Sequence, residues 1–169
     1  MKRRLFQTIL ALAMTLGMIG TNVCASTLAE TADTSADGVI VNETIEYLPD
    51  GSSIVITVID ETSIMPLATT FTKTGSKVYS ARNPDGVVMW QFTVHGTFSV
   101  NSGVSATCTA ASHSINIVED AWQNQSASTS RSGNKAIGNA TFIKKLLFIT
   151  VDTKDIQVTL TCDSNGNLS

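Results

Sequence analysis

Two histidines, His95 and His113, are the only imidazoles in this 169-residue chain. Beside an acid, either could act as a base or join a metal site. The spacings that build such sites are missing: there is no His-x-His, His-Glu-x-x-His or Cys-x-x-Cys. Both histidines fall on the polar-facing phase of their predicted strands and read as surface residues. Asp60-Glu61 and Glu119-Asp120 are adjacent acids, and neighbouring strand residues point to opposite faces, so neither pair forms a cooperating dyad within a strand. Serine is abundant, but no Gly-x-Ser-x-Gly elbow occurs. Asp163-x-Asn165-Gly166-Asn167 shares part of a calcium loop and lacks its closing carboxylate, so it reads as a turn. No phosphate-cradling glycine loop is present. The sequence therefore yields no catalytic, cofactor-binding or metal-binding residue, and the expectation is a non-enzymatic protein without cofactors.

Cysteine and aromatic residues carry more. Of three cysteines, Cys24 sits in a leader-like segment, leaving Cys108 and Cys162 as an even pair. Both are in phase with apolar neighbours, which predicts a core disulfide, with two separate buried thiols as the alternative. Cys108, Trp122 and Cys162 follow the Cys…Trp…Cys order of immunoglobulin domains, where the tryptophan packs on an inter-sheet disulfide. Leu160 stands where that fold's tyrosine would be, and only seven residues follow Cys162. Trp90 alternates with Phe92 and Val94 and belongs to the core. Tyr79 and Trp122 are the candidate binding aromatics, although Trp122 could equally pack on the disulfide.

The compartment follows from the first 25 residues. Lys2, Arg3 and Arg4 precede an apolar run from Leu5 to about Ile19, and Val23-Cys24-Ala25 offers a cleavage site. This is the pattern of a secretory signal peptide, 1–25, and predicts a secreted, extracellular protein with no membrane contact after cleavage. Lipidation of Cys24 is disfavoured because Val23 is not small. Cleavage removes three of the 11 basic groups and none of the 14 acidic ones, leaving a formal charge of about −6. That balance excludes the basic footprint of a nucleic-acid binder.

The elements that would position these residues are strands. Residues 26–37 are small and polar and read as a disordered lead-in. Residues 38–60 form an N-terminal β-hairpin around Pro49-Asp50-Gly51, and Pro66 breaks the connector that follows, which would make the hairpin semi-independent. The main domain spans 71–169. Asn83-Pro84-Asp85-Gly86 and Ser132-Gly133-Asn134 mark turns. From Val88 to Val100 alternate residues are apolar, the period of a long half-buried strand, with Gly96 as its expected bend. A phase change near Ala110-Ala111 predicts a bulge. Residues 123–132 are polar enough for a solvent-facing strand or a long loop, and 146–151 reads as an apolar strand. No helical period with caps appears. The fold class expected is all-β: an antiparallel β-sandwich, possibly immunoglobulin-like, with the N-terminal hairpin.

Lys73-Thr74-Gly75-Ser76-Lys77, the Trp90-x-Phe92-Thr93-Val94-x-Gly96-Thr97-Phe98 strand and the Leu160-Thr161-Cys162-Asp163-x-Asn165-Gly166 ending occur here in that order. Together they resemble a group of small, secreted, uncharacterised β-rich proteins of Gram-positive gut bacteria, over roughly 70–169 plus the signal. The resemblance implies export and a β-rich fold with the two cysteines, and no activity. The resulting expectation is an extracellular binding or interaction module whose partner is a protein or glycan. The alternative is a secreted effector or inhibitor polypeptide, antimicrobial or anti-protease.

Overall fold

Chain reversal occurs where the turn residues predict it. A computed structural model describes residues 38–62 and 69–169. The signal, the lead-in and 63–68 of the connector, with Pro66, lie outside the described residues. Eight strands follow one another: β1 (Val39–Tyr47), β2 (Ser53–Asp60), β3 (Thr70–Arg82), β4 (Val88–Asn101), β5 (Ser105–Ile117), β6 (Trp122–Ser132), β7 (Lys135–Leu146) and β8 (Ile149–Thr161). Gly51 and Gly86 take φ of 84° and 80° in the first and third reversals, a region an L side chain resists.

The strands form two antiparallel sheets, β1-β2-β3-β4-β5 and β6-β7-β8. Each is a plain meander, without the crossed connections of an immunoglobulin domain. The hairpin is not semi-independent: β2 pairs with β3 along its whole length, from Ser53 opposite Arg82 to Asp60 opposite Gly75. The expected bulge is present one position earlier than read. Thr97 faces Ala110 and Phe98 faces Cys108, so Thr109 is the extra residue. Gly96 does not bend β4, which runs on through it. A β-carbon there would lie 2.7 Å from the Phe98 ring, so the glycine makes room for that ring.

The sheets meet face to face through one apolar layer. From the larger sheet come Trp90, Phe92, Val94, Phe98 and Val100. Ala136, Ala140, Phe142, Val158 and Leu160 face them. Sequence on β7 sets the spacing between layers. Its inward residues run Ala136, Gly138, Ala140, Phe142, Lys144, small at one end and long at the other. A β-carbon on Gly138 would lie 2.4 Å from Val94 Cγ2, so the Val94 side chain packs directly on the β7 backbone there. Towards Lys144 a cleft opens between the sheets. At the narrow end Leu168 folds back over Gly75, closing the layer.

Two readings fail at the β7–β8 reversal and on β5. Residues 146–151 are not one strand: Leu146 closes β7 and Ile149 opens β8 around an exposed hairpin end, with Phe148 97% exposed. No Gly, Pro or Asn marks this turn; Leu147 supplies it at φ 56°, a conformation costing a leucine about 1–2 kcal/mol. His113 is not on the polar face. Past the Thr109 bulge it points inward opposite Val94, with its ring 5.7 Å from Phe92. His95 is on the outer face as read, 3.1 Å from the Ser114 hydroxyl.

Candidate functional site

At the wide end the two sheets enclose a cleft of about 700 Å3. Its floor is aromatic. Trp90, on β4, stacks on Phe142 at 3.9 Å and on Tyr79 of β3 at 5.8 Å, with planes 9° apart in the second case. Trp122, the first residue of β6, meets Trp90 edge-on at 5.9 Å. Its backbone N–H donates to the Glu119 carbonyl at 2.9 Å, and it pairs across the sheet with Lys144. Local sequence thus places an indole where the chain passes from one sheet to the other.

The two binding aromatics read from sequence fare differently. Trp122 is only 4% exposed, so it is neither a surface platform nor packed on the cysteines. It sits at the opposite end of β6 from the Gly133-Asn134 turn that anchors the cysteines, ten residues or roughly 33 Å from Ser132 along the strand. Tyr79 is half-buried and lines the cleft. Burial, and then the nearby Glu46 carboxylate, raise its phenol above the ordinary value.

Two polar atoms stand out in this floor. The indole Nε1–H groups of Trp90 and Trp122 are buried and have no hydrogen-bond partner. A buried donor left unpaired costs about 1–3 kcal/mol. The rim is charged and hydroxylated. Lys144 lies 3.6 Å from Glu119 and 5.8 Å from the centre of the Trp122 ring. Lys154 pairs with Asp152 at 3.3 Å. Asp155 accepts from the Thr141 hydroxyl at 2.6 Å on the outer face of the smaller sheet, behind this rim. Hydrogen bonds from the Ser52 hydroxyl and N–H hold Asp50 below the usual carboxylate range. These carboxylates are engaged by neighbours and stand around an apolar floor, an arrangement suited to binding.

The narrow end holds the cysteines. The Cys108 N–H donates to Gly133 O at 2.8 Å, and the Cys162 N–H donates to Asn134 O at 3.1 Å. Consecutive carbonyls of one turn therefore anchor both residues. The expected disulfide is not formed in this structure: both are buried free thiols. Their thiols donate to Ala110 O at 3.2 Å and Asp163 O at 3.5 Å. Burial raises both above the usual thiol value, Cys162 to about 11 with help from Asp163. The Asp163 loop is the turn that was expected: one carboxylate oxygen accepts the N–H groups of Asn165 and Asn167, both at 2.8 Å.

Sequence reasoning missed two things here. Lys73 is an inward-facing lysine, 3% exposed, that donates to Asp60. Its register position opposite Phe98 could have been found only by pairing β3 with β4. The cleft itself depends on the inward phase of Lys144, Asp152 and Lys154, which is legible only once β7 and β8 are paired. Among the described residues, no group of three His, Cys, Asp or Glu side chains could hold a metal ion. Comparison with protein-family models, curated proteins and solved structures finds no match for this chain.

Proposed function

We propose that this chain is a secreted, non-enzymatic β-sandwich protein whose inter-sheet cleft binds a neutral or weakly charged glycan. The observation that carries the reading is an aromatic-floored cleft of about 700 Å3 with charged groups at its rim. Sugar hydroxyls donate to carboxylates and accept from ammonium groups, and the C–H face of a pyranose packs on an aromatic such as Tyr79. Export rests on the basic, apolar and cleavage segments at the start of the sequence. In an oxidising compartment, Cys108 and Cys162 would then join by exchange with a disulfide oxidant, which leaves as two thiols.

The test is titration with soluble cell-wall oligosaccharides, followed by tryptophan fluorescence. Two tryptophans in the floor should report occupancy, and Tyr79→Leu should weaken binding roughly tenfold. If no oligosaccharide changes the emission or binds, the cleft reading fails. A second reading, an effector or inhibitor polypeptide, has one observation behind it. All nine residues of β1 are exposed, and among the described residues it pairs only with β2, leaving an edge on which a peptide strand could add.

A further inference from the structure

The β7–β8 hairpin ends in an uninterrupted apolar tip. Leu146, Leu147, Phe148 and Ile149 are 67, 85, 97 and 69% exposed, and Val151 follows at 55%. Single exposed apolar residues are ordinary, but four in a row at the point of a projecting hairpin are not. Leu147 adopts its left-handed conformation with a bulky side chain where glycine would be unstrained. The root of the tip is firm. Lys145 donates its N–H to Ala121 O at 2.8 Å and stands opposite Thr150.

We propose that this tip inserts into the interfacial zone of a lipid bilayer. Three features select that occupant. The tip is convex, and four side chains cover only a few hundred Å2, short of the roughly 1,000 Å2 that a stable protein interface needs. A bilayer requires no complementary pocket. The depth also fits. Leu146 and Ile149 form one paired row and Leu147 and Phe148 lie beyond it. Two rows at about 3.3 Å each reach about 7 Å past the Lys145–Thr150 pair, within the 5–10 Å at which apolar groups lodge in the interface. The charge at that level is favourable: Lys144 and Lys154 have Glu119 and Asp152 as partners, whereas Lys145 has no ion pair among the described residues. An ammonium there would lie among headgroup phosphates. This departs from the expectation of no membrane contact after signal cleavage.

The experiment is vesicle flotation of the chain lacking 1–25, with phosphatidylcholine alone and with one quarter phosphatidylglycerol. Binding to both is expected, about fivefold tighter with the anionic lipid, and Lys145→Gln should remove that difference. The double variant L147S/F148S should bind at least about tenfold more weakly. Its far-UV dichroism and melting should match the parent, because the tip supports no core. In an F148W variant, emission should shift to the blue on vesicles and be quenched by brominated lipid. Failure of the parent protein to float, or flotation of the double variant at parental strength, would overturn the proposal. So would a dimer in lipid-free sedimentation that the double variant dissolves, since the tip would then belong to a second copy.

Discussion

Gly138 lies directly beneath the Val94 and Phe92 side chains, and adding one methyl there tests that packing. In Gly138→Ala the new carbon would stand 2.4 Å from Val94 Cγ2 and 2.8 Å from Phe92 Cε1. Ordinary carbon contacts are about 3.5–4.0 Å, so the Val94 contact falls short by about 1.1 Å or more. Neither neighbour can retreat into solvent, because Phe92 and Val94 are completely buried. Val94 is also flanked across the sheet by Lys77 and His113. Overpacking of this kind costs about 1–3 kcal/mol. Replacing a strand glycine returns about 0.5–1 kcal/mol. The expected net loss is about 1–2 kcal/mol, or roughly 4–8 °C in melting temperature for a domain of this size. Urea unfolding of G138A, V94A and G138A/V94A measures it. If the clash is the cause, the double variant should be more stable than the two single losses predict by about 1 kcal/mol or more. A G138A protein as stable as its parent, or strictly additive losses, would refute the close approach of the sheets at this position.

Three further outcomes follow from the narrow end. Oxidation with a disulfide reagent should remove both titratable thiols and stabilise the chain by up to about 4 kcal/mol for a loop of about 54 residues; unchanged urea midpoints and two free thiols in denatured protein would reject the pairing. In the reduced protein, Cys162 keeps its proton to about pH 11, whereas an unfolded thiol releases it near 9. The folded state then binds more protons, so stability should fall as pH rises from about 9 to 11, and Cys162→Ala should flatten that slope in pH-dependent melting. Asp60→Asn should destabilise by roughly 3 kcal/mol, because it leaves Lys73 buried without its counter-charge; a loss below about 1 kcal/mol would show that the pair matters little. For Asp60, burial acts to raise the pKa, but hydrogen bonds from Lys73 and Thr62 outweigh it and hold the carboxyl low. Its contribution is therefore present above the usual carboxylate range and should be lost as pH falls through the folded value.

Alternation and turn chemistry are local properties, and they were legible. The Trp90-to-Val100 face, the reversals at Gly51 and Gly86 and the Thr109 bulge could all be read within a residue or so. Pairing is not local. Trp122 read as either an exposed binding aromatic or a partner of the disulfide, yet its partner Lys144 and the aromatic face of Trp90 bury it elsewhere. His113 shares a two-residue period with Ile115 and Ile117 beyond the bulge, so its inward direction was available in the sequence and was missed. Residues 146–151 read as one strand because an apolar run alone does not separate a continuous strand from a hairpin end. Distinguishing them requires the register of Leu146 on Ile149. The cleft was invisible for the same reason, since its walls come from strands separated by up to 100 residues or so.

The plain meander has a consequence for how the chain can be divided. Each sheet is one uninterrupted stretch of sequence, with β1–β5 ahead of β6–β8, and only 118–121 passes between them. The chain is thus two self-pairing halves joined by a single covalent bridge at the wide end. A cut in that bridge would leave every ladder hydrogen bond within its own fragment, and the apolar layer, with a few bonds such as Cys108 N–H to Gly133 O, would hold the fragments together. Such fragments are candidates for reconstitution by mixing, with Trp90 against Phe142 as the optical reporter. A Cys108–Cys162 bond would act as a second strap at the far end. It would convert the nicked molecule from a dissociable pair into one whose halves cannot part.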